Sequence, residues 1–318
     1  MTTPEHKIGS GFGAKTTASD VLAGLKLSGR LALVTGGYSG IGLETTRALA
    51  AAGATVIVPA RRPDTARTAL AGIENTRLET LDLGDLDSVA TLAQTLLEAG
   101  DPIDIVIDSA GIMACPETRL GPGWEAQFAT NHLGHYALVN RIWPLIAHGG
   151  GRVVAVSSAG HRRSGIRWED IQFEQGYDKW TAYGQAKTAN VLFAAELDRL
   201  GQDAGVRAFA LHPGGIMTPL QRHLSQAEMG ERGWIDETGK PINPSFKSPE
   251  QGAATQTWAA TSPQLDGMGG VYCEDCEIAE VNDDPDGTTG VRTWAIDPVE
   301  AERLWALSAE LTGVNAFG

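Results

Sequence analysis

Short, continuously apolar runs alternate along this chain with longer segments in which apolar residues recur every three or four positions. Leu31–Thr35 is the first such run and ends in glycines; residues 41–52 follow as an Ala-rich helix closed by Gly53. Residues 55–59 predict a second strand, a third apolar stretch ends at 81–83, and 103–107 predict a fourth strand. One long helix is expected over 124–146, a fifth strand over 152–157, a helix over 181–200 and a sixth strand over 206–211. Strands that are apolar at consecutive positions are buried on both faces, which implies a mostly parallel sheet flanked by helices. The expected class is α/β, with one doubly wound domain over residues 29–318.

Two segments depart from this rhythm. Residues 1–28 form an extension with a short helix signal, Thr17 or Ser19 capping 20–25. Residues 218–247 are broken by Gly and Pro and precede a helix over 249–260; such a stretch is expected to serve as a substrate lid. Residues 297–318 predict a C-terminal helix and tail.

Composition narrows the function. Hydrophobic residues make up 42% and charged residues 20% of the 318, the balance of a soluble globular protein. A net charge of −14 argues against nucleic acid and anionic membranes, both of which need a basic footprint. Phosphate binding must then be local. The N-terminus lacks the apolar core of a signal peptide, and no run is long enough for a membrane span. With only Cys115, Cys273 and Cys276, a disulfide framework is not expected, and the reducing cytoplasm is the expected compartment.

Local phosphate chemistry is present directly after the first strand, in Thr35-Gly36-Gly37-Tyr38-Ser39-Gly40-Ile41-Gly42. Gly36, Gly40 and Gly42 permit a tight turn, close approach of a pyrophosphate and close helix–strand packing; the helix start supplies N–H donors and a favourable dipole. Tyr38, Ser39 and Ile41 complete the loop. This is the nucleotide-binding signature of a Rossmann-type domain. The second strand ends in Pro59-Ala60-Arg61-Arg62, without the carboxylate that would bond a ribose 2′-hydroxyl. Arg61 and Arg62 suit a 2′-phosphate, so NADP(H) is the expected cofactor.

Of five tyrosines, only Tyr183 has a lysine four residues on, Lys187, one helical turn away on the same face. The preceding strand ends in Ser157-Ser158, on the side where such sheets form their ligand crevice. Hydride arriving at a carbonyl carbon leaves charge on oxygen that needs a proton. A tyrosine whose pKa is lowered by a neighbouring ammonium suits that task, with a serine hydroxyl holding the substrate oxygen.

With these residues in order, the chain resembles the short-chain dehydrogenases/reductases. The resemblance spans TGGYSGIG, Asp82-Leu83, Ala110-Gly111, Asn131 in NHLGHYAL, Ser158 in VVAVSSAG, Tyr183 and Lys187 in YGQAK, and His212-Pro213-Gly214-Gly215. It implies that Ser158 orients substrate, Tyr183 is the acid/base, and Lys187 binds the nicotinamide ribose and tunes Tyr183. It also implies that Asn131 helps hold a proton-relay water and Asp82 contacts adenine. Leu83, Ala110 and Gly111 belong to the cofactor cradle, and Pro213, Gly214, Ile216 and Thr218 lie against the nicotinamide. The chain departs from the family at Asp108-Ser109, where the family has Asn-Asn. The long Ser158–Tyr183 gap and Met113-Ala114-Cys115-Pro116 are most similar to the retinol dehydrogenase and protochlorophyllide reductase branch.

Other signals carry less. Cys273-x-x-Cys276 has half the spacing of a zinc site without a second pair, the acidic run 282–287 lacks calcium-loop spacing, and no metal is expected. His132 and His135 are expected to pack within a helix. A non-catalytic NADP(H) sensor would be expected to lose Tyr183 or Lys187; a sugar-nucleotide epimerase would space its glycines TGxxGxxG; a C=C reductase on the same fold is a further alternative. The resemblance and the apolar 124–146 and 181–200 helices predict a homodimer or homotetramer. Residues 160–181, with Trp168, Phe173, Tyr177 and Trp180, and residues 218–247, with Leu220, Leu224, Met229 and Trp234, are expected to shape the substrate pocket together with Met217. The substrate expected there is a lipophilic or aromatic ketone, aldehyde or alcohol rather than a phosphorylated or strongly anionic one.

Overall fold

The computed structural model describes residues 3–318. Eight strands form one sheet: β1 Leu31–Thr35, β2 Thr55–Ala60, β3 Thr76–Thr80, β4 Ile105–Asp108, β5 Arg152–Val156, β6 Arg207–His212, β7 Val271–Glu274 and β8 Glu277–Ile278. Their order is β8-β7-β6-β5-β4-β1-β2-β3, parallel throughout except for the β7–β8 pair. The chain leaves β1 toward β2 on one side and returns to β4 on the other. This reversal opens a crevice at the carboxyl ends of β1 and β4.

Side-chain alternation along the strands feeds two cores. Leu33, Val106 and Val153 face one layer with α2 (Leu86–Ala99), α3 (Gly134–Arg141), α4 (Lys179–Gly201) and α6 (Pro298–Thr312). Val34, Ile107 and Val154 face the other, with α1 (Gly40–Ala51) and α5 (Ala254–Thr261). Thr17 caps a single turn, Ala18–Val21, which joins the second core. The N-terminal segment is tied to the sheet edge: Glu277 accepts the N–H groups of Ile8, Gly9 and Ser10, and Glu5 accepts that of Tyr272.

Three expectations are corrected. The 124–146 helix is divided: Trp124–Glu125 pairs with Arg119–Leu120, a π-helical turn spans Ala129–Leu133, and Pro144 starts a separate helix, Trp143–Gly149. The third strand is Thr76–Thr80, with Leu81–Leu83 just beyond its end. Residues 249–260 form two short helices, Pro249–Gly252 and Ala254–Thr261. The Cys273–Cys276 spacing is a hairpin between β7 and β8, whose central residues Asp275 and Cys276 take φ of 51° and 58°, the two positive values that a tight primed turn demands. Among the described residues no group of three or more His, Cys, Asp or Glu is placed to hold a metal ion, and no helix is long and apolar enough to cross a membrane.

Part of the α3 and α4 surface is covered from within the chain by α6. Trp305 of α6 stacks on Phe193 of α4, with centroids 5.8 Å apart and planes 5° apart, and meets Tyr136 of α3 edge-on at 4.9 Å. His132 Nε2 lies 2.7 Å from Ser308 Oγ, and Trp168 Nε1 donates to Glu300.

Candidate active site

β1 ends at Thr35, and Gly36 turns the chain at φ +67°, where a side chain would also press on the Ala110 backbone at 3.0 Å. A Cβ at Gly42 would meet Gly36 O at 2.4 Å, so α1 starts flush against the loop. Ser39, the N-cap of α1, makes no capping bond, which leaves the first-turn N–H groups for an anion.

A cavity of about 710 Å³ runs from this loop across the crevice. Arg61 and Arg62 line one end, beyond β2, with Asp82, Leu83 and Tyr38. Arg222 joins them, close enough for like-charge repulsion from Arg61 and Arg62 to help burial in lowering its pKa. Ser39, Gly40 and Ile41, then Ala110 and Gly111, then Pro213, Gly214, Ile216 and Thr218 follow along the wall. Ser158, Tyr183 and Lys187 line the far part. Asn131 alone among the expected site residues does not; fully buried, it lies beneath the wall. Its side chain accepts from Ile112 N at 2.8 Å and donates to Ile112 O at 2.9 Å, clamping the Ala110–Ile112 turn.

Asp178 caps α4 by accepting the N–H of Thr181, which sets Tyr183 in the second turn. Ser158 ends the β5 connection, accepts Gly160 N at 3.0 Å and hydrogen-bonds Tyr183. Lys187 donates from Nζ to Val156 O at 2.8 Å and lies 5.7 Å from the Tyr183 ring. Burial pushes Tyr183 up to about 12, against the smaller lowering effect of Ser158, and pushes Lys187 down to about 8. The expected lowering of the tyrosine by lysine does not appear within the protein, where desolvation dominates and only Ser158 opposes it. Tyr183 stands as a neutral phenol, a proton donor.

Behind the site, His135 Nδ1 faces the Asn131 carbonyl at 3.0 Å and so carries the ring proton; its Nε2 accepts from Thr35 Oγ1 at 2.8 Å. Burial lowers His135 to about 4, leaving it neutral. Thr35 Oγ1 in turn accepts the N–H groups of Ser109 and Ala110. Asp108, where the family has Asn, lies 4.0 Å from His135 Nε2 with neither carboxyl oxygen hydrogen-bonded, and burial raises its pKa well above the usual range. A carboxyl raised in the fold makes unfolding easier as pH climbs above the unfolded-state value of about 3.9. Asp108→Asn is therefore expected to gain stability relative to the parent between pH 5 and pH 8, read by urea unfolding. An equal pH slope in both proteins would refute this.

The substrate side needs correction. Of the four aromatics expected from residues 160–181, only Trp180 lines the cavity. Trp168 packs under Arg303, and buried Phe173 packs against Tyr177, whose hydroxyl is held by Glu125 and the Cys115 carbonyl. From residues 218–247, Leu220 and Trp234 reach the cavity, while Leu224 and Met229 pack behind them. Arg162, Arg163, Arg222, Arg232, Phe246 and Arg292 also line the cavity; they carry no motif, so nothing in the sequence singles them out.

Comparison with known proteins agrees with this geometry. Residues 30–229 match the family model for short chain dehydrogenases. The "Probable oxidoreductase" of Streptomyces lividans is 44% identical over 297 residues, covering 90% of this chain and 98% of that one. Mouse retinol dehydrogenase 14 is 32% identical over 310 residues, 91% of this chain and 87% of that one. A crystal structure of an uncharacterized protein from Mycobacterium paratuberculosis superposes with a TM-score of 0.72 at 32% identity, covering 96% of this chain and 99% of that one. The chain belongs to the short-chain dehydrogenase/reductase family, whose members bind NAD(P), and is an oxidoreductase of its retinol dehydrogenase-like branch.

Proposed function

We propose that this protein is an NADP(H)-dependent oxidoreductase that interconverts a lipophilic or aromatic ketone or aldehyde and the corresponding alcohol. The observation that carries the reading is one cavity with Ser158, Tyr183 and Lys187 in one part and Arg61, Arg62 and Arg222 at the other end. The glycine cradle, closed to any side chain at Gly36 and Gly42, fits a dinucleotide. When bound, the nicotinamide supplies or takes the hydride. Ser158 Oγ orients the substrate oxygen, Tyr183 gives or takes its proton, and Lys187 holds the ribose. Asn131 and His135 fix the Ala110–Ile112 wall. Trp180, Trp234, Leu220 and Phe246 supply an apolar surface suited to a bulky substrate. The name of the mouse relative points to a lipophilic alcohol as well. The cytoplasm is the proposed compartment. The decisive experiment is a panel of aryl and alkyl carbonyls with NADPH, followed at the nicotinamide absorbance; no turnover of any member would refute the reading.

Cofactor choice rests on the arginines. Losing one charge-assisted phosphate contact costs about 1.5–3 kcal/mol. Arg61→Ala is expected to weaken NADPH binding by that amount and to leave NADH nearly unchanged, measured by fluorescence titration. Equal use of both cofactors by the unaltered protein would overturn the assignment. The lowered Lys187 makes a further prediction. As pH rises through about 8 the ammonium is lost, while Tyr183, near 12, stays protonated. The kcat/KM for NADPH, which reports free-enzyme groups, is expected to fall through that range; a flat profile to pH 10 would contradict it.

A further inference from the structure

The chain has eighteen arginines. Nine are in ion pairs with a carboxylate, and none of those nine lines the cavity. Among the described residues, seven of the other nine do line it. A protein with a net charge of −14 thus concentrates the guanidinium groups that lack a salt bridge in one cleft, where among the described residues Asp82 is the only acidic lining residue. Arg61, Arg62 and Arg222 stand at the end assigned to the 2′-phosphate. The remaining four stand on the side of Ser158 and Tyr183.

Two of these four are held as a unit beside the proposed acid. The Arg232 guanidinium carbon lies 3.9 Å from the centre of the Trp180 ring and 5.8 Å from that of Trp234, and Arg163 lies 5.6 Å from Trp180. Trp180 meets Tyr183 edge-on at 6.5 Å. Stacking occupies the flat face of a guanidinium and leaves its in-plane N–H donors for an acceptor. Neither side chain donates to any described protein acceptor. Of the acids that act on Arg232, Asp178 caps α4 and Glu228 pairs with Lys179, while Glu231 adds the smallest attraction of the three. Deeper on the same side, Arg162 Nη1 and Arg292 Nε are buried without a partner, and the Arg292 residue is only 4% exposed. Glu274 and Asp283 partly balance the charges of Arg162 and Arg292, but these buried donors still lack acceptors and favour an oxyanion on this wall.

Resting on the carbonyl–alcohol reading above, we propose that the substrate also carries a carboxylate, received by Arg163 and Arg232. Trp180 touches both the Arg232 guanidinium, at 3.9 Å, and Tyr183, at 6.5 Å, so the carboxylate is placed one indole contact away from the reacting carbonyl rather than on the adjacent carbon. The substrate class is an aryl or long-chain keto acid, or its hydroxy acid, rather than a 2-oxo acid. This amends the expectation of an uncharged ligand while keeping its apolar body, which Trp180, Trp234, Leu220 and Phe246 contact.

The test uses the full chain saturated with NADP⁺ and two probe pairs: biphenyl-4-carboxylate and 5-oxo-5-phenylpentanoate, each against its methyl ester, with binding read by calorimetry. Each acid is expected to bind at least about tenfold tighter than its ester, as a charge-assisted bond implies. The advantage should vanish in Arg163→Gln/Arg232→Gln and persist in Arg303→Gln, whose guanidinium stacks on Trp168 outside the cavity. Acids that bind no tighter than their esters, including no binding of either, would overturn the proposal. So would a double variant that loses NADPH affinity while keeping the acid preference, because the arginines would then serve the cofactor. Turnover is scored separately with NADPH. An acid preference in binding without turnover of any carbonyl defeats the parent reading alone, and turnover that ignores the carboxylate defeats this inference alone.

Discussion

Tyr183→Phe is expected to lower kcat for carbonyl reduction by about 10²–10⁴-fold, the range that a positioned proton donor contributes, while NADPH affinity changes little. The phenol is 4% exposed, bonded to Ser158, and its pKa is raised by burial, so at neutral pH it carries the proton that the developing alkoxide needs. No other phenol lines the far part of the cavity: Tyr38 is at the cofactor loop, and Tyr136, Tyr177 and Tyr272 lie outside the lining. The ring itself is kept in the variant, so its contact with Trp180 and the shape of the cavity persist. Stopped-flow reduction at saturating NADPH, paired with a fluorescence titration of the cofactor, separates proton transfer from binding. Retention of most activity would remove Tyr183 from its assigned role. Equal losses in affinity and kcat would assign it to binding instead.

The parts of the fold that the sequence announced are those in which neighbouring residues do the work. β1, β2, β4, β5 and β6 are continuous apolar runs because both faces of each strand are buried, and that leaves a mark at every position. The glycine loop was legible for the same reason, since its steric demands fall on successive residues. Tyr183 and Lys187 were legible because one helical turn joins them. β3 was displaced in the reading because Thr76–Thr80 is a half-buried edge strand whose polar residues hide the pattern. β7 and β8 were absent from it, their turn disguised as a metal-type cysteine spacing. The aromatics of residues 160–181 look alike in sequence, yet only the buried partners decide which one faces a ligand: Glu300 and Arg303 hold Trp168, Glu125 holds Tyr177, and only Trp180 lines the cavity. The arginines of the substrate wall come from positions 162, 163, 232 and 292, and their meaning exists only after the chain has brought them together.

Trp305→Ala is expected to cost about 3–5 kcal/mol of unfolding free energy, the range for truncating a large buried aromatic. Trp305 is 6% exposed and joins three ring contacts, with Tyr136, Phe193 and Phe317, while its Nε1 donates to Asn315 Oδ1 at 3.2 Å. Truncation leaves a hole where α3, α4 and α6 meet and removes one of the anchors of the C-terminal tail, which is also held by Asn140 accepting the Ala316 N–H and by Phe317 packing on Trp143. The consequence reaches the site through the helices themselves. α4 carries Tyr183 and Lys187, and the π-turn before α3 carries Asn131, whose neighbour His132 is fastened to Ser308 of α6. A helix that most closely resembles an appendage in the sequence therefore buttresses both sides of the proton-transfer machinery. Urea unfolding gives the stability loss, and NADPH turnover measured well below the midpoint shows how much of the site survives. A loss under about 1 kcal/mol would mean that α6 is packed too loosely to support the helices beneath it. The full loss accompanied by an aggregated or dimeric product would show that the face Trp305 covers is adhesive once exposed.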